Sequence, residues 1–473
     1  MSVLTYDTLI IGAGPGGYVA AIRLGQLGIK TLVVDKDKAL GGVCLNWGCI
    51  PSKSLIQMAK TYEKTLTGTE KMGIKVSGAT FDWAKTQEWK NGIVDSLTSG
   101  IAQLLKGNGV DHRFGTATLT SSTTADFVEK SGEKLTIQFK NCIIATGSSP
   151  VQIPGFTFDK NFVVDSTDLL ELKEVPKSLV LIGGGVIGLE LGTVYAKLGT
   201  KLTVVEMMDQ VLPGTSKDVA QLVERKLKRN KADIFVSAKA KSWKQVGKEA
   251  ELTFEVGGKD QTVTGEMIAV AVGRRPNSKG FGGENIGIKL TDRGFIEVND
   301  KLQTSVPNIY AIGDVVSQPM LAHKASKEGE IAAENIAGHK YSTKDIQVIP
   351  GVIFCDPEVG IAGLTEDEAK KQGKKIKVGK FPYGALGRAK STGDIEGFAR
   401  IVADAETERV LGVEIVGTNA SDMISEAALA IEMGATLDDI HLTVHPHPTL
   451  GEIMMETAKA AKGEAVHILN PKS

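Results

Sequence analysis

The sequence predicts an α/β fold with two Rossmann-like dinucleotide-binding units, followed by a C-terminal α+β region. Two observations support this prediction. A pattern of strand, glycine-rich turn, helix and strand occurs twice, and an offset of 171 residues separates Gly12 from Gly183 and Asp35 from Glu206. From about Ile349 the chain alternates strand-like and helix-like segments without a nucleotide-binding motif.

The first unit runs from an apolar strand at residues 8–11, through the glycine-rich turn at 12–17, to a second strand that ends at Asp35. Gly12 makes the turn, Gly14 lets the backbone approach a pyrophosphate, and Gly17 lets the helix pack on the strand. The helix N-terminus favours the negative pyrophosphate. Because Asp35 can accept hydrogen bonds from a ribose, the complete pattern predicts a dinucleotide site.

The second unit repeats this pattern, with glycines at Gly183, Gly185 and Gly188 and a second strand that ends at Glu206. Two fingerprints predict two dinucleotide sites and electron transfer between two cofactors. Glu206 would bond the 2′-hydroxyl of NAD and repel the 2′-phosphate of NADP. Because no Arg or Lys occurs at residues 207–209, we expect this site to prefer NAD.

The composition is that of a large globular chain that needs more than one core. It has 473 residues, 42% of them hydrophobic, with 55 basic and 56 acidic side chains. A net charge of -1 gives no attraction to nucleic acid or to anionic membranes, and no apolar run reaches the length of a membrane span. The N-terminus shows no signal-peptide pattern, and the four cysteines do not form a secreted disulfide framework. We therefore expect a cytoplasmic protein.

Two of the cysteines, Cys44 and Cys49, lie five positions apart in a glycine-rich segment. A regular helix would place their Cα atoms about 8.7 Å apart, whereas a disulfide needs less than about 7 Å. If the two are joined, the backbone must depart from regular helix, and Gly48 is well placed to allow it. A bond that closes such a tight loop is easier to reduce than a structural bridge. The alternative is two free buried thiols.

A second segment with chemical potential holds two of the seven histidines, His445 and His447, among prolines. An X-Pro bond can be cis, which would fix an imidazole at an unusual angle. Pro448 and Thr449 resemble a helix start, which places Glu452 one turn in. A carboxylate near an imidazole sets its tautomer and raises its pKa, which is the layout of a general base. The alternative is a proline-rich turn with exposed histidines.

The remaining periodicity predicts scaffold elements and one further ligand-binding position. Asp314 follows an apolar strand, at the end where open α/β sheets bind ligands; the alternative is a helix cap. Cys142 lies in an apolar strand and is interpreted as a buried small hydrophobe. Helices are predicted over 18–27, 82–105, 320–337, 421–433 and 449–461, and C-terminal strands over 398–402 and 410–416.

Taken together, these segments resemble the dihydrolipoamide dehydrogenases, which are class I flavoprotein disulfide oxidoreductases. The resemblance covers nearly the whole chain. The cysteine motif and the closing histidine motif are highly specific in combination. The segments that carry the resemblance are 12–17, 42–53, 145–147, 183–190, 273–277, 311–314 and 447–452.

The resemblance implies FAD and NAD as cofactors and no metal. It implies an FAD-binding domain at 1–147, an NAD-binding domain at 148–275, a central domain at 276–348 that completes the FAD domain, and an interface and dimerisation domain at 349–473. The implied FAD-site residues are Gly12, Gly14, Gly17, Asp35, Lys53, Gly115, Ala145, Thr146, Gly147, Asp314, Met320, Leu321, Ala322 and His323. The implied NAD-site residues are Gly183, Gly185, Gly188, Glu190, Glu206 and Gly273, with Glu190 paired to Lys53.

The resemblance also implies a homodimer in which four catalytic residues come together across the subunits. His447, oriented by Glu452, would take a proton from a dihydrolipoyl thiol and act on the disulfide of the other subunit. The substrate thiolate would attack Cys44, and the released Cys49 thiolate would lie against the flavin, which reduces NAD+. The implied partners are the lipoyl domains and core acyltransferase of 2-oxoacid dehydrogenase complexes, and the glycine cleavage system, with no nucleic acid and no membrane.

Three other functions fit the residues less well. A glutathione reductase predicts basic residues after Glu206 and a tyrosine where Val186 stands, and the sequence has neither. A mercuric reductase predicts cysteines near the C-terminus, and none lies beyond Cys355. A non-catalytic flavin-binding subunit would need neither the cysteine pair nor His447 and Glu452.

Overall fold

The structure is a computed structural model that describes residues 2–37 and 39–470. Its N-terminal region combines a parallel βαβ unit, a long helix and an antiparallel meander. The elements of this region are β1 (Ser2–Thr5), β2 (Thr8–Ile11), α1 (Pro15–Gln26), β3 (Thr31–Asp35), α2 (Gly42–Trp47), α3 (Cys49–Glu63), α4 (Trp83–Gly107), β4 (Asp111–Leu119), β5 (Thr124–Glu129), β6 (Lys134–Gln138), β7 (Asn141–Ile144) and β8 (Ser148–Pro150).

The first βαβ unit places two predicted site residues at one edge of a sheet. β2 and β3 pair in parallel, and both are apolar and buried, as expected for a parallel sheet that is covered on both faces. α1 begins at Pro15, where the missing N–H of proline has no helical partner to lose. Gly12 therefore follows β2 at the same edge at which Asp35 ends β3.

The second region repeats this unit on a separate sheet. Its elements are β9 (Val163–Val164), α5 (Ser166–Leu170), β10 (Ser178–Ile182), α6 (Val186–Lys197), β11 (Lys201–Val205), α7 (Lys217–Arg229), β12 (Asp233–Phe235), β13 (Ala238–Val246), β14 (Glu249–Val256), β15 (Lys259–Gly265), β16 (Met267–Val270) and β17 (Arg274–Pro276). Within the described residues, its parallel sheet has the order β12-β11-β10-β16-β9, and an antiparallel sheet β13-β14-β15 lies beside it.

The chain then returns to the first sheet. β18 (Ile309–Ala311) pairs in parallel with β7, which gives the order β1-β6-β5-β4-β3-β2-β7-β18 in the part of the chain that the structure describes. The strand is followed by the 3-10 turn Gly313–Val315, which contains Asp314. α8 (Ala322–Ile336) packs against α1, and a Cβ on Gly329 would lie 2.5 Å from the carbonyl oxygen of Gly16. Small residues thus let these helices pack closely.

The C-terminal region is an antiparallel sheet with helices on it, so the predicted α+β character is confirmed. Its elements are β19 (Gly351–Ile353), β20 (Val359–Gly363), α9 (Glu366–Lys371), β21 (Ile376–Pro382), α10 (Gly387–Thr392), β22 (Phe398–Asp404), β23 (Val410–Val416), α11 (Ala420–Glu432), α12 (Leu437–Leu442) and α13 (Glu452–Lys462). The sheet order is β19-β20-β23-β22-β21, and the helices α11 and α13 cover it.

The last helix begins about three residues later than predicted. The last helix begins at Glu452 and not at Pro448 or Thr449, because the Thr449 N–H donates to the Glu452 carboxylate from outside the helix. The negative side chain therefore stands in the first turn, where the helix dipole stabilises it. The other predicted helices and strands agree with the structure to within a few residues at their ends. No helix of residues 2–37 or 39–470 has the length and apolar character needed to cross a bilayer.

Candidate active site

Cys44 and Cys49 lie on either side of a break between two helices. Cys44 is in α2, which ends at Trp47, and α3 begins at Cys49. Between them, the Gly48 backbone comes so close to the preceding turn that a Cβ would lie 2.9 Å from the carbonyl oxygen of Val43. The backbone thus departs from regular helix at this glycine, as the sequence predicts for two cysteines that come together.

The two cysteines are half-buried thiols that are not joined by a disulfide. The hydrogen bond from Cys44 lowers the pKa of the Cys49 thiol; burial opposes this effect, and the Lys53 ammonium supports it. The same hydrogen bond and the burial raise the pKa of the Cys44 thiol. The direction of these pKa shifts favours Cys49 as the thiolate of the reduced pair, and the thiolate is the reactive form of a cysteine.

Lys53 stands one helical turn after Cys49 and joins the cysteine pair to the second fingerprint. Its Nζ atom lies 2.7 Å from Oε2 of Glu190, a buried residue of α6. The other carboxylate oxygen, Oε1, accepts a hydrogen bond of 2.8 Å from the backbone N–H of Phe354. The Lys53 ammonium also lies 4.7 Å from the centre of the Phe354 ring. The buried carboxylate is therefore satisfied on both oxygens, and segments from three regions of the chain meet at this pair.

The turn between β2 and α1 has open space where a pyrophosphate would lie. Gly12 has a φ of 107°, and a Cβ there would lie 2.2 Å from the Ala145 carbonyl oxygen. A Cβ on Gly17 would lie 1.9 Å from the carbonyl oxygen of Gly12. At Gly14 the nearest atom to such a Cβ is 3.9 Å away. The outer glycines are thus required by packing, and the middle glycine leaves room for a ligand at the N-terminus of α1, which fits a dinucleotide.

The Asp35 carboxylate is held in place by the backbone of the same turn. Its Oδ2 atom accepts from the Ala13 N–H at 2.7 Å, and its Oδ1 atom accepts from the Asp37 N–H at 2.9 Å. Burial raises the pKa of Asp35. Each carboxylate oxygen has a further lone pair, so the side chain can still accept from ribose hydroxyls.

The second turn reproduces the first. Gly183 has a φ of 103°, and a Cβ on Gly188 would lie 2.4 Å from the carbonyl oxygen of Gly183. A Cβ on Gly185 would meet no described atom within 4 Å. Glu206 is buried and accepts from the N–H groups of Gly184 at 2.6 Å and Met208 at 2.7 Å. The open space over the middle glycine and the fixed acid fit a second dinucleotide.

Asp314 belongs to a polar chain that the sequence does not reveal. Its Oδ2 atom accepts a hydrogen bond of 2.6 Å from the Ser148 hydroxyl. Arg274 donates from Nε to the same hydroxyl oxygen at 2.7 Å and from Nη2 to the Ser148 carbonyl oxygen at 2.6 Å. Burial lowers the pKa of the Arg274 guanidinium. The Asp314 carboxylate is thus positioned by hydrogen bonds that run through Ser148 to Arg274. Its contact with a flavin ribitol stays a prediction.

The other residues predicted at the cofactor sites lie in β4, in the loops before β8, β17 and α8, and at the start of α8. Their contacts with FAD or NAD stay predictions. A Cβ on Gly115 would lie 2.4 Å from the Val128 carbonyl oxygen, so packing of β4 on β5 already requires glycine there. Ala145, Thr146 and Gly147 form the loop between β7 and β8, Gly273 precedes β17, Met320 and Leu321 precede α8, and Ala322 and His323 begin it.

Among the residues that the structure describes, the His447 imidazole has a hydrogen-bond partner on one nitrogen and none on the other. Its Nδ1 atom lies 2.8 Å from Oε1 of Glu452, and its side chain is 74% exposed. Burial raises the pKa of Glu452, but the hydrogen bonds from Thr449 N–H and from His447 outweigh it and hold the pKa below its usual value. The ionised carboxylate directs the Nδ1–H toward itself. Nε2 is therefore left as an acceptor that faces solvent in this chain.

Comparison with protein families matches both halves of this architecture. Residues 6–329 match the pyridine nucleotide-disulphide oxidoreductase model, and residues 349–458 match the dimerisation domain of the same family. The chain belongs to the pyridine nucleotide-disulphide oxidoreductase family. This membership joins the two nucleotide-binding turns, the cysteine pair and the C-terminal region in one protein class.

Relatives within this family carry the name that the sequence resemblance suggests. A dihydrolipoyl dehydrogenase of Geobacillus stearothermophilus is 49% identical over 463 residues, which cover 98% of this chain and 97% of the relative. That of Bacillus subtilis is 49% identical over 98% of each chain. That of Haloferax volcanii is 46% identical, again over 98% of each chain. The resemblance to the dihydrolipoamide dehydrogenases is thereby confirmed.

Solved structures share the fold over nearly the whole chain. LpdA from Mycobacterium tuberculosis has a TM-score of 0.88 at 25% identity, and it covers 96% of this chain and 99% of its own. The HOCl-induced flavoprotein disulfide reductase RclA from Escherichia coli has a TM-score of 0.85 at 26% identity, with the same coverage. These likenesses confirm the predicted arrangement of two nucleotide-binding units and a C-terminal region.

Proposed function

We propose that this protein is an NAD-dependent dihydrolipoyl dehydrogenase, which oxidises dihydrolipoyl groups to lipoyl groups with FAD as its bound cofactor. The observation that carries the proposal is the position of Lys53. It follows the cysteine pair by one helical turn and is tied through Glu190 to the helix of the second nucleotide-binding turn. A thiol-disulfide centre is thereby linked to a nicotinamide site. The relatives named dihydrolipoyl dehydrogenase support the same activity.

The thiol half of the reaction begins with a Cys44–Cys49 disulfide. His447 takes the proton of one substrate thiol on its Nε2 atom, and the substrate sulfur attacks the sulfur of Cys44. A mixed disulfide forms, the Cys44–Cys49 bond breaks, and Cys49 leaves as a thiolate, which its lowered pKa favours. The proton of the second substrate thiol passes to the Cys44 sulfur as the second substrate sulfur displaces it, His447 retains the first proton, and the lipoyl disulfide is released.

The hydride half returns the cysteine pair to the disulfide. When bound, FAD supplies the two-electron chemistry that connects the dithiol to NAD+. The chain supplies the positions: Gly14 and Asp35 face the proposed FAD, and Gly185 and Glu206 face the proposed NAD. The net reaction is dihydrolipoyl plus NAD+ to lipoyl plus NADH and one proton.

We propose a homodimer in which His447 serves the cysteine pair of the other subunit. Among the described residues, no hydrogen bond or ion pair joins the segment 443–452 to the segment 41–53, and His447 bonds within its own region. Two apolar residues beside it, Leu442 and Val444, are 73% and 92% exposed. Exposed apolar groups of this kind mark protein contacts, and the match to a dimerisation domain supports a second copy as the partner.

The wider setting is also a proposal. FAD would bind a domain at 1–147 completed by 276–348, NAD would bind 148–275, and 349–473 would form the subunit interface. The partners would be lipoyl domains and the core acyltransferase of a 2-oxoacid dehydrogenase complex, or the lipoyl carrier of the glycine cleavage system. The low cysteine content supports a reducing, cytoplasmic location.

The proposal is tested by measuring the two half-reactions separately. Purified protein should be yellow, and dihydrolipoamide should bleach its flavin absorbance, whereas reduced glutathione should not. Reduction of the His447→Gln variant by dihydrolipoamide should be slower by at least about 100-fold, because general base catalysis contributes about 10²–10⁴-fold to a rate. Its reduction by NADH should stay within about twofold of the wild type, since a general base at the thiol site plays no part in hydride transfer.

The control is the His112→Gln variant, because His112 lies on β4 and is exposed. It should match the wild type in both half-reactions. Equal losses in both half-reactions of the His447→Gln variant would refute the role of His447, and reduction by glutathione but not by dihydrolipoamide would refute the proposed substrate.

A further inference from the structure

His445 is bonded on both of its ring nitrogens. Its Nδ1 atom lies 2.9 Å from the carbonyl oxygen of Thr443, and its Nε2 atom lies 2.8 Å from Oε1 of Glu426. Only 6% of its side chain is exposed, whereas 74% of the His447 side chain is exposed two residues later. The His445 side chain is therefore buried, whereas the His447 side chain faces solvent.

Both partners of His445 are acceptors. A carbonyl oxygen and an ionised carboxylate have no hydrogen to donate, so both contacts are made at once only when both ring nitrogens carry a hydrogen. That form is the imidazolium cation. Hydrogen bonds from a cation to an ionised acceptor are about twice as strong as neutral ones. With both nitrogens occupied, His445 has no lone pair with which to act as a base.

These contacts fix one side of the segment that carries His447. Glu426 lies on α11, so His445 attaches the segment to that helix. The other side is attached to α13, since Glu452 accepts from both His447 and the Thr449 N–H. The segment thus crosses from one helix to the other and is held by one histidine–carboxylate pair at each end.

We propose that His445 and Glu426 are positioning residues that hold His447 in place for its proton transfer. His445 acts as a doubly bonded cation between α11 and the Thr443 carbonyl, and it does not touch the substrate. This inference rests on the proposed function, because it assigns a task to His447. Misplacement of a reacting group by about 1 Å can reduce a rate by about 100-fold, so the effect should appear in the thiol half-reaction alone.

The test changes the acceptor on α11 and leaves the histidine segment intact. In Glu426→Ala, reduction by dihydrolipoamide should slow by about 10- to 100-fold, and reduction by NADH should stay within about twofold. Glu426→Gln keeps an oxygen that accepts the Nε2–H, so it should restore most of the rate. The matched control is Asp422→Ala, which removes the same charge one turn earlier on α11; among residues 2–37 and 39–470 the Asp422 side chain has no hydrogen-bond or ion-pair partner.

A second measurement does not depend on activity. The chain has seven histidines, so NMR of ¹⁵N-histidine-labelled protein can observe each ring. The signal that disappears in His445→Asn should have the ring-nitrogen shifts of an imidazolium at neutral pH in the wild type. In Glu426→Ala the same signal should move toward that of a neutral ring.

The outcomes separate this inference from the proposed function. If dihydrolipoamide reduces the wild type and His447→Gln is slow, but Glu426→Ala has wild-type rates, the positioning role is wrong and the proposed function stands. A neutral His445 signal in the wild type would also overturn the positioning role. If Glu426→Ala slows both half-reactions equally, the contact is merely structural. If dihydrolipoamide does not reduce the wild type at all, the proposed function fails, and the positioning role fails with it.

Discussion

Substitution of Gly185 by alanine should separate NAD binding from folding and from flavin binding. Gly185 has φ and ψ angles of -80° and -175°, which alanine adopts without strain. A Cβ there would meet no described atom within 4 Å. The folded chain therefore has room for the methyl group, and the reduced freedom of the unfolded chain should add about 0.4–1 kcal/mol of stability.

The added methyl group should weaken only the binding of the nucleotide. The methyl group would occupy the space over the N-terminus of α6, where the pyrophosphate is proposed to approach the backbone N–H groups. We expect the loss of about one hydrogen bond to a charged group, which contributes about 1.5–3 kcal/mol. Since about 1.4 kcal/mol is tenfold in affinity, the Kd for NADH should rise by roughly 10- to 150-fold.

The assay combines flavin content, thermal unfolding and NADH titration of the Gly185→Ala variant. Its matched control is Gly14→Ala, the same change in the first turn, which should lose flavin instead of NADH affinity. Gly188→Ala should destabilise the fold, because its Cβ would lie 2.4 Å from a carbonyl oxygen. If Gly185→Ala binds NADH within about threefold of the wild type, or loses its flavin, the assignment of the second turn to NAD is wrong.

Two further predictions concern the charges at the site. Lys53→Met should shift the pH profile for alkylation of reduced Cys49 by iodoacetamide toward higher pH by about one unit, because the cation that lowers the pKa of this thiol is removed. Lys60→Met, on the same helix, should leave the profile where it is in the wild type. An unchanged profile in Lys53→Met would contradict the reasoning. Glu206→Gln should lower the preference for NAD over NADP, measured as a ratio of kcat/KM, by about tenfold or more, whereas the exposed neighbour in Asp209→Asn should leave the ratio unchanged. An unaltered ratio in Glu206→Gln would assign the selectivity to other groups.

Local patterns in the sequence were sufficient to predict both nucleotide-binding units. Each fingerprint is a continuous stretch in which the strand, the glycines and the terminal acid have fixed spacing, so local geometry determines the fold of the unit. The break at Gly48 was predictable for a related reason. Five residues of regular helix would hold Cys44 and Cys49 too far apart for a bond, so a pair that comes together requires an interruption.

The contacts that complete the site were not predictable in the same way. Phe354 is 164 residues from Glu190 and contributes its backbone N–H, which every residue except proline possesses. Nothing in the sequence around Ser148 or Arg274 indicates that these side chains would reach Asp314. Such contacts depend on how distant elements pack, and no spacing in the chain encodes them.

The start of the last helix shows how a side chain can overrule a local signal. Proline at the first position and threonine near it favour a helix start at residues 448–449. The Glu452 carboxylate instead accepts the Thr449 N–H and the His447 ring, and both bonds are made with the chain outside the helix. The proline and threonine that favour a helix start thus belong to the segment that presents the imidazole.

We expect the fixed position of Glu206 to give its charge a larger effect on the choice between NAD and NADP than a flexible carboxylate would have. A flexible carboxylate could swing away from a 2′-phosphate and relieve the repulsion. Both oxygens of Glu206 instead accept backbone N–H groups, from Gly184 and Met208, and the side chain is buried. To move aside it would have to leave two N–H groups without partners, at about 1–3 kcal/mol each. The carboxylate is therefore fixed at the position where it is proposed to bond a ribose hydroxyl and to repel a 2′-phosphate.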